Sequence, residues 1–151
     1  MNKNSIFIIV ILFLLIVIGI LAFNSLTPQK DTVQVGSTSF VLPENFTRGQ
    51  DNTFNHTSIT NGHDVIFLEE YNNTDINRYV NGFKNYLSKN NDSAEVTQFN
   101  VGDVIVYKAT PKLHNTTTHY WFSVNNKVYT VYNWSIVKDM DNIVTELVKS
   151  L

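Results

Sequence analysis

Two patterns of apolar and polar positions divide the chain. From residue 6 to residue 23 no side chain is charged or polar, whereas after residue 31 short apolar alternations are broken by Gly, Asn or Pro. At 1.5 Å of helical rise per residue the first run reaches roughly 27 Å, about the thickness of a bilayer's hydrocarbon core. A helix in a water-soluble core would show a polar side at the 3.6-residue period. This run shows none, so it predicts a single transmembrane helix over residues 6–23. A cleaved secretory signal is the rival reading, and it fits less well: the run outlasts a signal core, and its end, Ile20 then Ala22, lacks a small-x-small site. The amino terminus and Lys3 precede the run and Lys30 follows it, a slight bias toward a cytoplasmic N-terminus. The predicted organisation is a cytoplasmic stub (1–5), an anchor in the cell membrane (6–23), a linker containing Pro28 (24–31) and an extracytoplasmic domain (32–151).

Within that domain the period shortens to two. Residues 32–35 and 38–42 flank Gly36-Ser37, a two-residue turn with Gly first, and Pro43 ends the second strand. Residues 48–55 are polar and read as a loop. Residues 55–60 and 63–71 flank Asn61-Gly62, a strong short hairpin signal; with that turn, His63 lies opposite Thr60 and His56 opposite Phe67. Residues 65–68 are apolar on both parities, as in a strand covered on both faces. Ile76, Tyr79, Val80, Phe83 and Leu87 then form one helical stripe that Thr74 or Asp75 can cap. Strands resume at 95–100 and 103–110, and at 118–124 and 127–134 around Asn125-Asn126. A second helix carries Met140, Ile143, Val144, Leu147 and Val148, with Asp139 and Asp141 in its first turn. Four hairpin-like strand pairs and two one-sided helices predict an α+β sandwich behind the transmembrane helix.

Composition narrows the chemistry. Eleven Lys and Arg stand against thirteen Asp and Glu, with no clustered basic face, which argues against a nucleic-acid partner. There is no cysteine, so disulfides, thiolate metal sites and a Cys nucleophile are excluded together. Asparagine is abundant, with twenty residues, and Asn45, Asn55, Asn72, Asn91, Asn115 and Asn133 each open an N-x-[ST] triplet, the pattern of an N-glycosylation acceptor. All six follow the apolar run, which agrees with an outside domain. A coding bias toward Asn would account for part of the excess.

The last hairpin holds the main candidate site. With Asn125-Asn126 as its turn, Val124 pairs with Lys127 and His119 with Tyr132. One face then carries His119, Trp121, Tyr132 and Trp134, and the other Tyr120, Phe122, Tyr129 and Val131. Rings packed under a covering helix are the ordinary use of such a face. The alternative is a partly open platform for a sugar or a partner protein, which makes His119, Trp121, Tyr132 and Trp134 the ligand-contact candidates. No metal site is expected, because His56 and His63 lie far apart along their ladder and no carboxylate has ligand spacing beside His114 and His119. Glu69 and Glu70 point to opposite faces and do not form an acid/base pair; Glu70 is expected to emerge into water at a strand end. No nucleophile elbow, zincin, Walker or dinucleotide motif occurs, so no catalytic residue and no cofactor is predicted.

The run of residues 36–46, read as G-x-x-x-F-x-L-P-E-x-F, the apolar strand feeding the helix at 76–87, and the closing hairpin with its C-terminal helix resemble small membrane-anchored surface proteins of methanogenic archaea. The order of strands and helices is similar to the PsbP/Mog1 type of α/β/α sandwich. That resemblance implies a fold class rich in accessory subunits and partner-binding proteins, generally without catalysis of their own. The expected function is therefore a non-catalytic membrane-anchored envelope protein whose outer domain binds a partner protein, glycan or lipid-linked ligand. An accessory subunit of a membrane complex is the alternative, and an unrecognised extracytoplasmic hydrolase a second one.

Overall fold

The computed structural model describes residues 13–17 and 31–151. Residues 13–17 are helical and exposed. From residue 31 onward the order is β1 (Thr32–Val35), β2 (Thr38–Val41), β3 (Thr47–Asn52), β4 (His56–Thr60), β5 (Val65–Tyr71), α1 (Ile76–Lys89), β6 (Ala94–Val101), β7 (Val104–Pro111), β8 (His119–Val124), β9 (Lys127–Asn133) and α2 (Met140–Lys149). Seven strands form one antiparallel sheet in the order β3-β4-β5-β9-β8-β7-β6, and β1-β2 forms a separate two-stranded one.

This corrects the expected fold class. The domain is mostly antiparallel β, with one seven-stranded and one two-stranded sheet and short helices, rather than an α/β/α sandwich of four strand pairs. The layer opposite α1 is shared by the β1-β2 hairpin and α2, because Val33, Val35 and Phe40 bury against the sheet as fully as Val144 and Leu147 do. Among the described residues no helix is long and apolar enough to cross a membrane, so the membrane and transmembrane reading is not supported by them. The rest of the run at 6–23, with the stub and most of the linker, lies outside the described residues.

Two further corrections concern pairing. Residues 48–52, expected to lie in a loop, belong to β3, which is polar because an edge strand here is exposed on nearly every residue. The β4-β5 hairpin closes through a four-residue loop, not a two-residue one: Asn61 Oδ1 accepts from the N–H groups of His63 and Asp64 at 3.0 and 2.7 Å, and Thr60 pairs with Val65. The register therefore moves by two residues, which preserves the faces but places His56 opposite Glu69 instead of Phe67. The Asn125-Asn126 turn is as the sequence suggests, with φ of 50° and 60° and Val124 paired with Lys127. Asp75 caps α1 by accepting from the N–H of Asn77 at 3.0 Å. Asp139 sits before α2 with φ 57° and makes no side-chain cap bond, so only Asp141 serves the first turn.

The larger core lies on the face toward the hairpin and α2. Phe40 meets Phe122 and Tyr129 edge-on at 6.3 and 5.3 Å, and Ile59, Ile66, Leu68, Val106 and Val131 are almost wholly buried around them. Removing such a ring costs about 3–5 kcal/mol in packing and transfer. Glu70 also lies on this face, and the expectation that it reaches water is wrong: it is 5% exposed. Its carboxylate accepts from Ser37 N–H at 2.8 Å, Ser37 Oγ at 3.0 Å and Tyr129 Oη at 2.8 Å, with Lys127 Nζ at 3.4 Å. Burial opposes its charge, but these bonds outweigh that cost and hold its pKa below the usual range. The turn of the β1-β2 hairpin is thereby fastened to the sheet. Gly36, at φ +57°, is the residue that fits, since a Cβ there would overlap the Glu70 carboxylate.

Candidate functional site

The opposite face is only partly covered. Helix α1 lays Val80, Ile76 and Phe83 over Ala109, Val96 and Trp121, which seals the sheet above β6, β7 and β8. Toward β9 and β5 the cover is incomplete, and an open cleft of about 380 Å³ is lined by α1 on one side and by β5, β8 and β9 on the other. Residues 65–68 are accordingly not covered on both sides: Ile66 and Leu68 are buried, but Val65 is 39% exposed and Phe67 faces this side.

A row of stacked rings forms the sheet side of this region. His56 lies on Phe67 (5.7 Å), Phe67 on Tyr132 (5.2 Å), Tyr132 on His119 (5.1 Å) and His119 on Trp121 (5.6 Å). The spacing follows from register, since Phe67 pairs with Tyr132 and Tyr132 with His119 directly across the strands. Phe83 descends from α1 onto His119 and Trp121 at 4.3 and 5.3 Å. Tyr79 of α1 stacks on Tyr71 of β5 at 4.4 Å. Trp134, 66% exposed, stands edge-on to Tyr132 at 5.7 Å, and Tyr86 on the helix is 62% exposed. Gly82 lines the mouth, and an added Cβ there would meet nothing within 4 Å.

One carboxylate stands among these rings. Glu69 Oε1 accepts from Tyr132 Oη at 2.9 Å and faces His56 Nδ1 at 2.9 Å, while Oε2 accepts from Tyr71 Oη at 2.5 Å. Burial raises its pKa, but the bonds from Tyr71, Tyr132 and His56 lower it by more, so Glu69 is held ionised. The tyrosines are pushed the other way, first by burial and then by bonding to a carboxylate, so both keep their protons. Burial drops the His119 pKa to about 4, against a smaller opposing pull from Glu69, so this imidazole is neutral at ordinary pH. Thr130, paired with Glu69 on one side and Trp121 on the other, is 3% exposed, and its hydroxyl is enclosed beside Tyr71.

All four sequence-derived candidates, His119, Trp121, Tyr132 and Trp134, line this cleft. Sequence reasoning missed Glu69, Thr130 and the helix residues Tyr79, Gly82 and Phe83. Alternation along β5 and β9 already put Glu69 and Thr130 on the ring-bearing face; what hid the pairing of Glu69 with His56 was the four-residue loop. The glycosylation candidates divide. Asn45, Asn72, Asn91 and Asn115 are exposed, whereas Asn55 is half-buried with its Oδ1 enclosed and unpartnered. Asn133 is 2% exposed, and its Nδ2 donates to the carbonyls of Thr116 and Ser135, so the folded domain offers no glycan acceptor there. His114 pairs with Asp92 at 3.1 Å, not with His119, and ties the loop after β7 to the end of α1. Among the described residues no three His, Asp or Glu side chains converge on a common point.

No family model matches the chain and no curated protein matches it, so neither comparison bears on the resemblance to PsbP/Mog1-type proteins.

Proposed function

We propose that the domain at 31–151 is a non-catalytic binding module whose ligand seats in the aromatic cleft between α1 and the sheet. The observation that carries this reading is the concentration of aromatic side chains around one open volume that is also bordered by an ionised carboxylate. Binding pockets combine apolar walls with a few fixed polar groups in this way. The state of those groups favours binding over reaction. A carboxylate tied by three donors is a weak base, and a neutral imidazole stacked between Tyr132 and Trp121 is not placed as a proton shuttle.

The protein supplies its own reporter, because both of its tryptophans, Trp121 and Trp134, line the cleft. A ligand seated there is expected to change the intrinsic fluorescence and to shift backbone resonances of α1 and β9. Gly82→Leu fills the mouth at a helical position with open space and should abolish both responses while thermal stability is kept or raised. Ligand responses that persist in Gly82→Leu would place the binding elsewhere.

A further inference from the structure

The two ends of the large sheet differ. At one of them the β4-β5 loop, the turn between α1 and β6, the β7-β8 loop and the segment after β9 come together, because Thr60 pairs with Val65, Ile66 with Asn133, His119 with Tyr132 and Ala94 with Pro111. Four large apolar side chains stand exposed there: Val65 at 39%, Leu113 at 68%, Trp134 at 66% and Ile136 at 74%. Buried polar groups fix this exposure. Asp92 is enclosed and accepts from the N–H of Leu113 at 3.0 Å, and Asn133 is enclosed and donates to the carbonyls of Thr116 and Ser135. The loop bearing Leu113 and the segment bearing Trp134 and Ile136 are thus braced side by side. Apolar side chains scattered singly on a surface are ordinary, but a cluster held outward marks an interaction surface.

Charge and connectivity say what covers it. Lys89, Lys112 and Lys138 are exposed at this end against Glu44 and Asp139, a positive surplus in a chain whose net charge is −2. Cations beside apolar tips that include a tryptophan match the layering of a lipid surface, anionic headgroups outside and acyl chains within. The chain also enters the domain here, since Asp31 and Thr32 border Arg48, whose neighbour Thr47 pairs with Thr60. The seven residues 24–30 reach at most about 24 Å, so the wholly apolar stretch 6–23 is tethered at this end. A protein partner would have to match separate apolar tips and three lysines one by one, whereas a fluid lipid surface takes them in without matching.

We infer that this end of the domain is a lipid-facing surface: Leu113, Trp134 and Ile136 enter the headgroup layer of an anionic bilayer while Lys112 and Lys138 meet its phosphates. The inference goes beyond the cleft reading and does not depend on it.

The test uses the full-length chain and vesicles of phosphatidylcholine and phosphatidylglycerol brominated near the top of the acyl chains, with tryptophan emission as the readout. Residues 1–30 hold no tryptophan, and Trp121 is 3% exposed. Trp134 is expected to lose about half or more of its emission, as suits a ring seated about 5–10 Å into the interface, and Trp134→Phe should remove that quenching. Leu113→Ser combined with Ile136→Ser should abolish most of it. Lys112→Gln combined with Lys138→Gln should lower it to the level on brominated phosphatidylcholine alone. Phe54, exposed in the β3-β4 loop at the other end of the sheet, supplies the orientation control: in a Trp134→Phe background, Phe54→Trp should escape the bromines. Trp134 left unquenched while the chain sediments with the vesicles would overturn the inference, and so would failure to sediment or equal quenching at position 54. A glycan on Asn91 or Asn115 of the natural protein would do the same, because both lie at this end. A Trp134 shift that follows the chain's own concentration without vesicles, and no quenching with them, would assign the surface to a second copy instead.

Discussion

Glu69 and Glu70 are neighbours in one strand and lead opposite lives. Glu70 points into the closed side of the sheet, where two donors from the β1-β2 turn and one from Tyr129 surround it and leave it 5% exposed. Glu69 points into the open side, where tyrosine hydroxyls and a histidine hold it beside a cleft. Both carboxylates are kept ionised by bonds that outweigh burial. The difference is in what shares the space: on the closed side the protein itself fills it, and on the open side nothing in the domain does. One residue of alternation is enough to turn the same side chain from a fastening into a recognition group.

Four changes separate the two roles. Glu70→Ala strands buried donors on Ser37 and Tyr129 and should cost about 4 kcal/mol in urea denaturation, with faster hydrogen exchange in β1 and β2. A loss under about 1 kcal/mol would show that Glu70 is not the fastening. Acidification acts on the open side. His119 has a folded pKa of about 4, below its unfolded value, so the unfolded chain binds the proton first. Its contribution is therefore unaffected above about pH 6.5 and erodes as pH falls, by roughly 3 kcal/mol at pH 4. The carboxylates add to this only as pH falls into their ordinary range near 4, so the part of the loss between about pH 6.5 and 5 that His119→Phe removes is the contribution of this imidazole.

Gly36→Ala should cost about 2 kcal/mol from its left-handed φ and the displaced carboxylate, and less in a Glu70→Ala background, where the clash is gone. Full additivity in that double mutant would break the proposed contact. Glu69→Gln is expected to change stability least, by under about 1 kcal/mol, because its donors border water in an open cleft. A loss as large as that of Glu70→Ala would erase the contrast between the faces.

Local structure was legible where short-range chemistry decides it. The apolar stripe and the Asp75 cap define α1, and the paired asparagines define the β8-β9 turn and with it the face that carries all four ring candidates. The illegible parts depend on distant partners. Residues 48–52 look like a loop because edge strands take polar side chains, and β4, which makes them a strand, is specified elsewhere. Asn61-Gly62 suggests a two-residue turn, but the Asn61 side chain organises four residues and moves the register by two. The burial of Glu70 depends on where the β1-β2 hairpin docks, which no pattern within β5 announces. The same holds for the cleft, since the stripe on α1 predicts that the helix packs, not how far along the sheet its cover extends.

The seven-stranded sheet is open, so it ends in two unlike margins. At one, β3 is bulged between Arg48 and Asn52 and carries charge along its short length, a poor template for another strand. At the other, β6 pairs with β7 without a break over eight residues and has Glu95 as its single charge. Self-association through backbone pairing, under heat or at high concentration, is therefore expected to start from β6, and a lysine introduced at its exposed Gln98 is the place to improve solubility.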